Sequence, residues 1–334
     1  MGRLTRVVCL AMAVVAATGA GSARAQAPAS TPPARERLVI VTNSFDDDAM
    51  VFRMANAATA SSVKTLPTGK RPTEVCVAAD GRRAYVSNAG DATVTVLDLE
   101  SLAVAATISH PSMKVPDGCA TSLDSRKLYL ADQGANRVFV IATDSHKVVK
   151  EIDAGEEPRR ILVGRDGTVY VSSEKGGVSV LSAKDDSLVV TRKVGRGPRA
   201  MALTPDQKTL LVASVDDDAI SFVDAAGGAV ENTIGGVGSS PQRIAVTANG
   251  QSGVVVSRNT HSLHVIDLSA GHRRASRPFP LGRNPMGLEL SDSPNFVYAL
   301  VSGESLVAVV DIRSGETIRV LPTGHYPLGL AVRR

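Results

Sequence analysis

The chain has 334 residues, 43% hydrophobic and 21% charged, a globular composition that excludes a disordered or collagen-like protein. Aromatics make up only 3% and tryptophan is absent, so core volume must come from Val, Ile, Leu and Ala, and tryptophan-docked repeats of the WD type are excluded. The formal net charge of +4 falls on the leader: Arg3, Arg6 and Arg24 lie in the acid-free first 25 residues, and without them 34 basic residues face 33 acidic ones, unlike a protein that coats nucleic acid.

Residues 1–25 carry the pattern of a secretory signal. Arg3 and Arg6 give a positive start, Val7 to Ala17 an apolar run, and Ala23-Arg24-Ala25 a small-residue cleavage site, so the mature chain is expected to begin near Gln26. The run is too short for a spanning helix and no later stretch replaces it, so no membrane span is expected in the mature chain. No Arg-Arg pair precedes the run, which favours general export to the periplasm or exterior. Residues 26–37, with Pro28, Pro32 and Pro33, read as a disordered lead-in. The folded part is expected to span 38–334.

A fixed period governs that part. Proline recurs at Pro72, Pro116, Pro158, Pro198, Pro241, Pro285 and Pro327, at spacings of 44, 42, 40, 43, 44 and 42 residues. In six of the seven a glycine stands three residues earlier, as in Gly69-Lys70-Arg71-Pro72; the segment before Pro116 lacks it. Eight residues after the proline comes a turn, Asp80-Gly81, Asp124-Ser125, Asp166-Gly167, Asp206-Gln207 or Asn249-Gly250, the signature of a hairpin between apolar runs. An apolar strand, a polar loop and an alternating strand that often ends on Asp follow: Tyr85 to Asn88 leads to Val94 to Asp98. A fourth segment, such as Thr317 to Leu321, returns to the next glycine. Each unit is thus four short antiparallel strands, one propeller blade. Pro327 to Val332 supplies a first strand and Leu38 to Asn43 a second, so the two are expected to share a blade and bring the total to seven.

Tyr85-Val86-Ser87-Asn88 and Ile40-Val41-Thr42-Asn43, with the Gly-x-x-Pro loop and the Asp-Gly turn, resemble the YVTN-repeat β-propeller family, which includes surface-layer and YncE-like periplasmic proteins. Other units keep the strand and lose the Asn: Tyr129 to Asp132, Tyr170 to Ser173, Leu211 to Ser214 and Val254 to Ser257. The resemblance implies an all-β seven-bladed propeller. It leaves several functions open, since similar propellers include lactonase-like hydrolases, subunits of quinone- or haem-dependent redox systems, and binding proteins.

In a propeller the first strand of each blade lines the channel, so the Gly-x-x-Pro loops are expected to ring one mouth. They carry Lys70, Arg71, Lys114, Arg159, Arg160, Arg196, Arg199, Arg243 and Arg283 against Glu74, Asp117, Glu156 and Glu157, nine basic residues and four acidic, joined by His325 and Tyr326. Two readings stand. The arginines bind an anionic small molecule, as their forks suit carboxylate or phosphate, or they pair with a second loop layer, Asp46 to Asp48, Asp91 and Asp216 to Asp218, as a structural belt.

Catalytic signatures are missing. His261 and His264 are expected on opposite faces of one strand, the Gly235 to Gly238 run has no Lys-Ser/Thr of a phosphate loop, and the Asp triplets lack calcium-loop spacing. No catalytic residue, metal or cofactor is therefore assigned. Few aromatics are present to stack bases, so nucleic acid is not expected as a partner. The reading is an exported, monomeric binding or scaffold protein, with a small anion or another periplasmic protein as partner. Its rivals are a lactonase-like hydrolase and a propeller subunit of a redox system. Cys76 lies four residues past its proline and Cys119 three past its own, on opposite faces of neighbouring first strands. They pair if those faces meet, and point apart if not.

Overall fold

The computed structural model describes residues 37–56, 59–269 and 273–333. The proposed signal and all of the lead-in except Arg37 lie outside them; Arg37 already belongs to the first strand, Arg37–Asn43.

Seven antiparallel sheets follow one another along the chain. Blades one to six span residues 72–109, 116–152, 158–192, 198–234, 241–280 and 285–322. The seventh is closed by both ends of the described chain. Pro327–Arg333 is its inner strand and pairs with Arg37–Asn43, Val39 facing Val332 and Val41 facing Leu330. The seven-bladed propeller expected from the spacing of the prolines is the fold observed. Blade five departs in detail, because its outer strand is split into Arg274–Ala275 and Phe279–Pro280. Pro278 and Pro280 have no N–H to give the ladder.

Seven apolar clusters hold the ring together, and each joins two adjacent blades. Tyr85, Val94 and Val96 of blade one pack on Leu128, Leu130 and Phe139 of blade two, while Ala84 and Val86 of the same strand pack on Leu38 and Ile40 of blade seven. Alternate side chains of one strand thus serve opposite junctions. This is why second strands such as Arg83–Asn88 are buried almost throughout, whereas the outer strand Leu188–Arg192 is exposed along most of its length.

Each Asp-Gly-type turn closes with the same backbone bond, from Gly81 N–H to Ala78 C=O at 2.7 Å and from Gln207 N–H to Thr204 C=O at 2.8 Å. The donor residue is left-handed in five units, as Gly81, Ser125, Gly167, Gln207 and Gly250. The residue before the blade-opening proline is left-handed too, at Arg71, Glu157, Gly197, Ser240, Asn284 and Tyr326. Val115 is the exception, in the one loop without the glycine.

At the junction of blades two and three the inner strands approach too closely for a side chain. A Cβ on Gly118 would lie 2.1 Å from the Arg159 carbonyl oxygen and 2.9 Å from the Arg160 Cα. Gly118→Ala is expected to destabilise the fold by about 1–3 kcal/mol, since backbone rather than a side-chain tip must yield. Chemical denaturation measures this, and an unchanged midpoint would show that the two strands part freely.

Candidate functional site

The inner strands Pro72–Val77, Pro116–Thr121, Pro158–Val163, Pro198–Leu203, Pro241–Val246, Pro285–Leu290 and Pro327–Arg333 surround the channel. All seven pair with their second strand through a register shift just after the proline. The first two residues past each proline occupy equivalent places around the ring. They are Thr73-Glu74, Asp117-Gly118, Arg159-Arg160, Arg199-Ala200, Gln242-Arg243, Met286-Gly287 and Leu328-Gly329.

The candidate ligand-binding residues at the mouth separate into two groups. Side chains of Lys70, Arg196, Arg283 and His325 are 70%, 78%, 73% and 79% exposed, whereas those of Arg159, Arg160, Arg199 and Arg243 are only 17%, 15%, 18% and 12% exposed. Asp117 lies with the inner four, and Arg71 and Tyr326 with the outer loops.

The outer group belongs to the belt of second-strand loops. Asp47 takes Lys70 Nζ at 2.9 Å, Asp217 takes Arg196 Nε at 2.7 Å, and Asp46 takes His325 Nδ1 at 2.8 Å. The same carboxylates also accept backbone N–H groups of the Gly-x-x-Pro loops: Asp46 from His325, Asp47 from Arg71, Asp91 from Lys70 and Asp217 from Arg196. Hydrogen bonds to the Lys70 ammonium and the Arg71 amide, in that order, hold the Asp47 carboxyl below its ordinary range. Arg283 donates to the Gly303 carbonyl at 3.2 Å and lies 4.0 Å from Glu304. Tyr326 stacks on Phe45 with ring centroids 4.9 Å apart, and its hydroxyl accepts from Asn284 Nδ2 at 3.1 Å.

The inner arginines do not pair with the aspartates of that belt. They form a chain of alternating charge within the channel. Arg243 reaches from blade five to Glu74 of blade one at 2.6 Å, and Glu74 meets Arg160 of blade three at 3.0 Å. Arg160 contacts Asp117 at 2.9 Å, Asp117 contacts Arg159 at 3.3 Å, and Arg159 binds Glu174, which lies 3.7 Å from Arg199 of blade four. Blades one, three and five are not neighbours, so the chain crosses the channel rather than running along its wall. Below it lies a cavity of about 320 Å³ lined by Glu74, Arg160 and Arg243 and, lower down, by residues such as Cys76, Met201 and Glu289.

In this chain four arginines face Glu74, Asp117 and Glu174, and a fourth carboxylate, Glu289, lines the cavity below. Burial pushes the Asp117 carboxyl up, but Arg160, Arg199 and Arg159 outweigh it and hold it below its ordinary value. Burial also opposes the charge on Arg160, yet Glu74 and Asp117 raise its pKa. Arg199 and Arg243 go the other way: burial and neighbouring arginines lower both, Arg243 to about 10, despite the carboxylates beside them. Arg243 remains cationic at neutral pH. The Nε atoms of Arg160 and Arg199 are buried with no hydrogen-bond partner, an exception among buried polar groups that calls for an acceptor.

Glu74 is one of the four acidic residues expected at the mouth, two residues past a proline and level with Arg160 and Arg243; Glu174 is the member of this chain that the sequence does not place there. Glu174 sits in a second-strand loop, and nothing in its local sequence points into the channel.

Other residues considered from sequence lie elsewhere. His261 is in the turn before its strand rather than within it, with φ 54°, and faces the Arg258 carbonyl. His264 is buried beside Ser262, 3.1 Å from its hydroxyl. Among the described residues no group of three or more His, Cys, Asp or Glu side chains is placed to hold a metal. No helix of the described residues is long and apolar enough to cross a membrane. Cys76 and Cys119 form a disulfide between the inner strands of blades one and two, Cα atoms 5.8 Å apart.

Solved structures share the propeller fold at low sequence identity. A chain of Kuenenia stuttgartiensis hydrazine synthase is 21% identical, with TM-score 0.69 over 77% of this chain and 88% of its own. A Lactobacillus plantarum protein is 16% identical, with TM-score 0.77 over 90% and 99%. A Bacteroides uniformis protein named as a candidate 6-phosphogluconolactonase is 13% identical, with TM-score 0.75 over 89% and 99%. No curated protein matches the chain. A family model described as a domain of unknown function, DUF5074, matches residues 34–270, and the chain belongs to that family.

Proposed function

We propose that this propeller is an exported binding protein of the YVTN-repeat, YncE-like kind, which takes a small organic anion at the arginines of its channel. The observation that carries this reading is the pair of orphaned Nε atoms of Arg160 and Arg199, within a cluster of four largely buried arginines. An anion supplies the missing acceptor in a site already desolvated, where a charge-assisted hydrogen bond is strong. Asp117 is held ionised and engaged by Arg159 and Arg160, which does not suit it to act as a general acid. Action outside the cytoplasm is supported by the leader and by the Cys76–Cys119 disulfide, a bond that persists in oxidising compartments. The Bacteroides and Kuenenia neighbours keep lactone hydrolysis and a redox assembly as the alternatives to test.

A thermal-shift screen of the mature protein against organic acids, phosphate, lactones, quinone cofactors and haem, repeated on Arg199→Ala, tests the reading. A ligand at about 100 times its dissociation constant adds roughly 2.7 kcal/mol. Organic anions are expected to stabilise the parent and not the variant. Lactone turnover that Arg199→Ala abolishes, or equal shifts in both proteins, would overturn it.

A further inference from the structure

Beside Arg199 in the ring stands Gln242, which occupies the same position past its proline in the next blade. The Gln242 side chain is almost fully buried, at 2% exposure. Its Nε2 donates to the Ser240 carbonyl at 3.3 Å and to the Ser240 hydroxyl at 2.8 Å. A carbonyl only accepts, so the amide nitrogen must face Ser240, which fixes the Gln242 oxygen on the other side. That oxygen is buried and has no donor. Equivalent positions of adjacent blades, each one residue past the blade-opening proline, therefore hold an unfilled donor, Arg199 Nε, and an unfilled acceptor, Gln242 Oε1.

The two orphans ask for different things. Arg199 needs an acceptor, which any anion provides. Gln242 Oε1 needs a donor, which acetate, sulfate or a fully ionised phosphate does not have. A carboxylate with a hydroxyl on the neighbouring carbon offers both within one small molecule. We infer that the channel selects hydroxy acids, the carboxylate accepting from Arg199 and the hydroxyl donating to Gln242. The inference rests on the anion-binding reading above and names its ligand class. The remaining ring positions nearby, Met286 and Leu328, are apolar and partly exposed, and supply no competing donor or acceptor.

Calorimetric titration of matched pairs tests it: lactate against propionate and glycolate against acetate, on the parent, Gln242→Met and Arg199→Ala. The parent is expected to prefer the hydroxy acid by about ten-fold, the size of one hydrogen bond left unmade in a buried site. Gln242→Met keeps the volume and loses the acceptor, so it should bind both members of each pair alike, near the affinity the parent has for propionate. Arg199→Ala should lose both. Equal affinity of the parent for lactate and propionate would overturn the hydroxyl assignment while leaving anion binding intact, as would a preference that survives in Gln242→Met. Absence of binding by any anion, sulfate included, would overturn both readings together.

Discussion

Replacing Asp117 by asparagine is expected to lower the unfolding free energy by about 3–5 kcal/mol, the usual consequence of removing one partner from a buried ion pair. Asp117 is 6% exposed and contacts both Arg159 and Arg160. Without its charge, the two guanidiniums stay buried with only Glu74 and Glu174 to balance them and the nearby Arg199 and Arg243. The loss comes from leaving cations uncompensated, so Asp117→Asn combined with Arg160→Met should recover part of it, which a double-mutant cycle by chemical denaturation would show. The pH dependence follows from the sign of the shift. The folded carboxyl is held below its unfolded value. Its contribution is therefore fully present above roughly pH 4, the unfolded range for Asp, and is lost as pH falls through the lower folded value. Asp117→Asn should accordingly flatten the acid limb of the stability profile. A variant as stable as the parent at pH 7, with the same acid limb, would mean that the channel ion chain does not support the fold.

The second large effect concerns the disulfide. Cys76 and Cys119 are 43 residues apart in sequence, so their bond restrains a loop that includes most of blade one and the start of blade two. Chain entropy alone gives about 4 kcal/mol for a loop of that length. The bond also ties together the inner strands that carry Glu74 and Asp117, each two residues before its cysteine. Dithiothreitol, or Cys76→Ser with Cys119→Ser, is expected to shift the denaturation midpoint accordingly. A midpoint unmoved by reductant in the parent would show that the blade junction holds without the bond.

The fold could be read almost entirely from the sequence because propeller physics is local and repeated. Every blade must turn at the same distance from its proline and bury its second and third strands between neighbours, so the period appears as Pro, Asp-Gly and apolar runs. The motif residue at the end of the second strand shows why the repeat tolerates drift. Asn43 binds Asp48, Asn88 binds Thr93 and Thr95, and Asp132 accepts from the Lys114 and Val115 amides. Ser173 and Ser257 donate to the Ala154 and Val237 carbonyls. Asn, Asp and Ser can thus each serve at this position, although the Ser214 hydroxyl at the same place in blade four is buried without a partner.

The site was only half legible. Sequence placed the basic residues near the channel but could not divide them, because exposure depends on how far each stands from the proline and on what faces it across the ring. Lys70 and Arg196, before the proline, belong to the outer belt. Arg159, Arg160, Arg199 and Arg243, one or two residues after it, enter the channel. The partners that distinguish the two groups, Asp47 and Asp217 against Glu74, Asp117 and Glu174, are brought in by closure of the ring. Arg243 and Glu74 are 169 residues apart.

The most direct measurement is the location of an anion. A crystal of the protein soaked in sodium bromide should give an anomalous peak within hydrogen-bonding distance of Arg199 Nε, and that peak should vanish in Arg199→Ala. Bromide found only at the exposed Lys70, Arg196 and Arg283, with the channel occupied by water, would contradict the account.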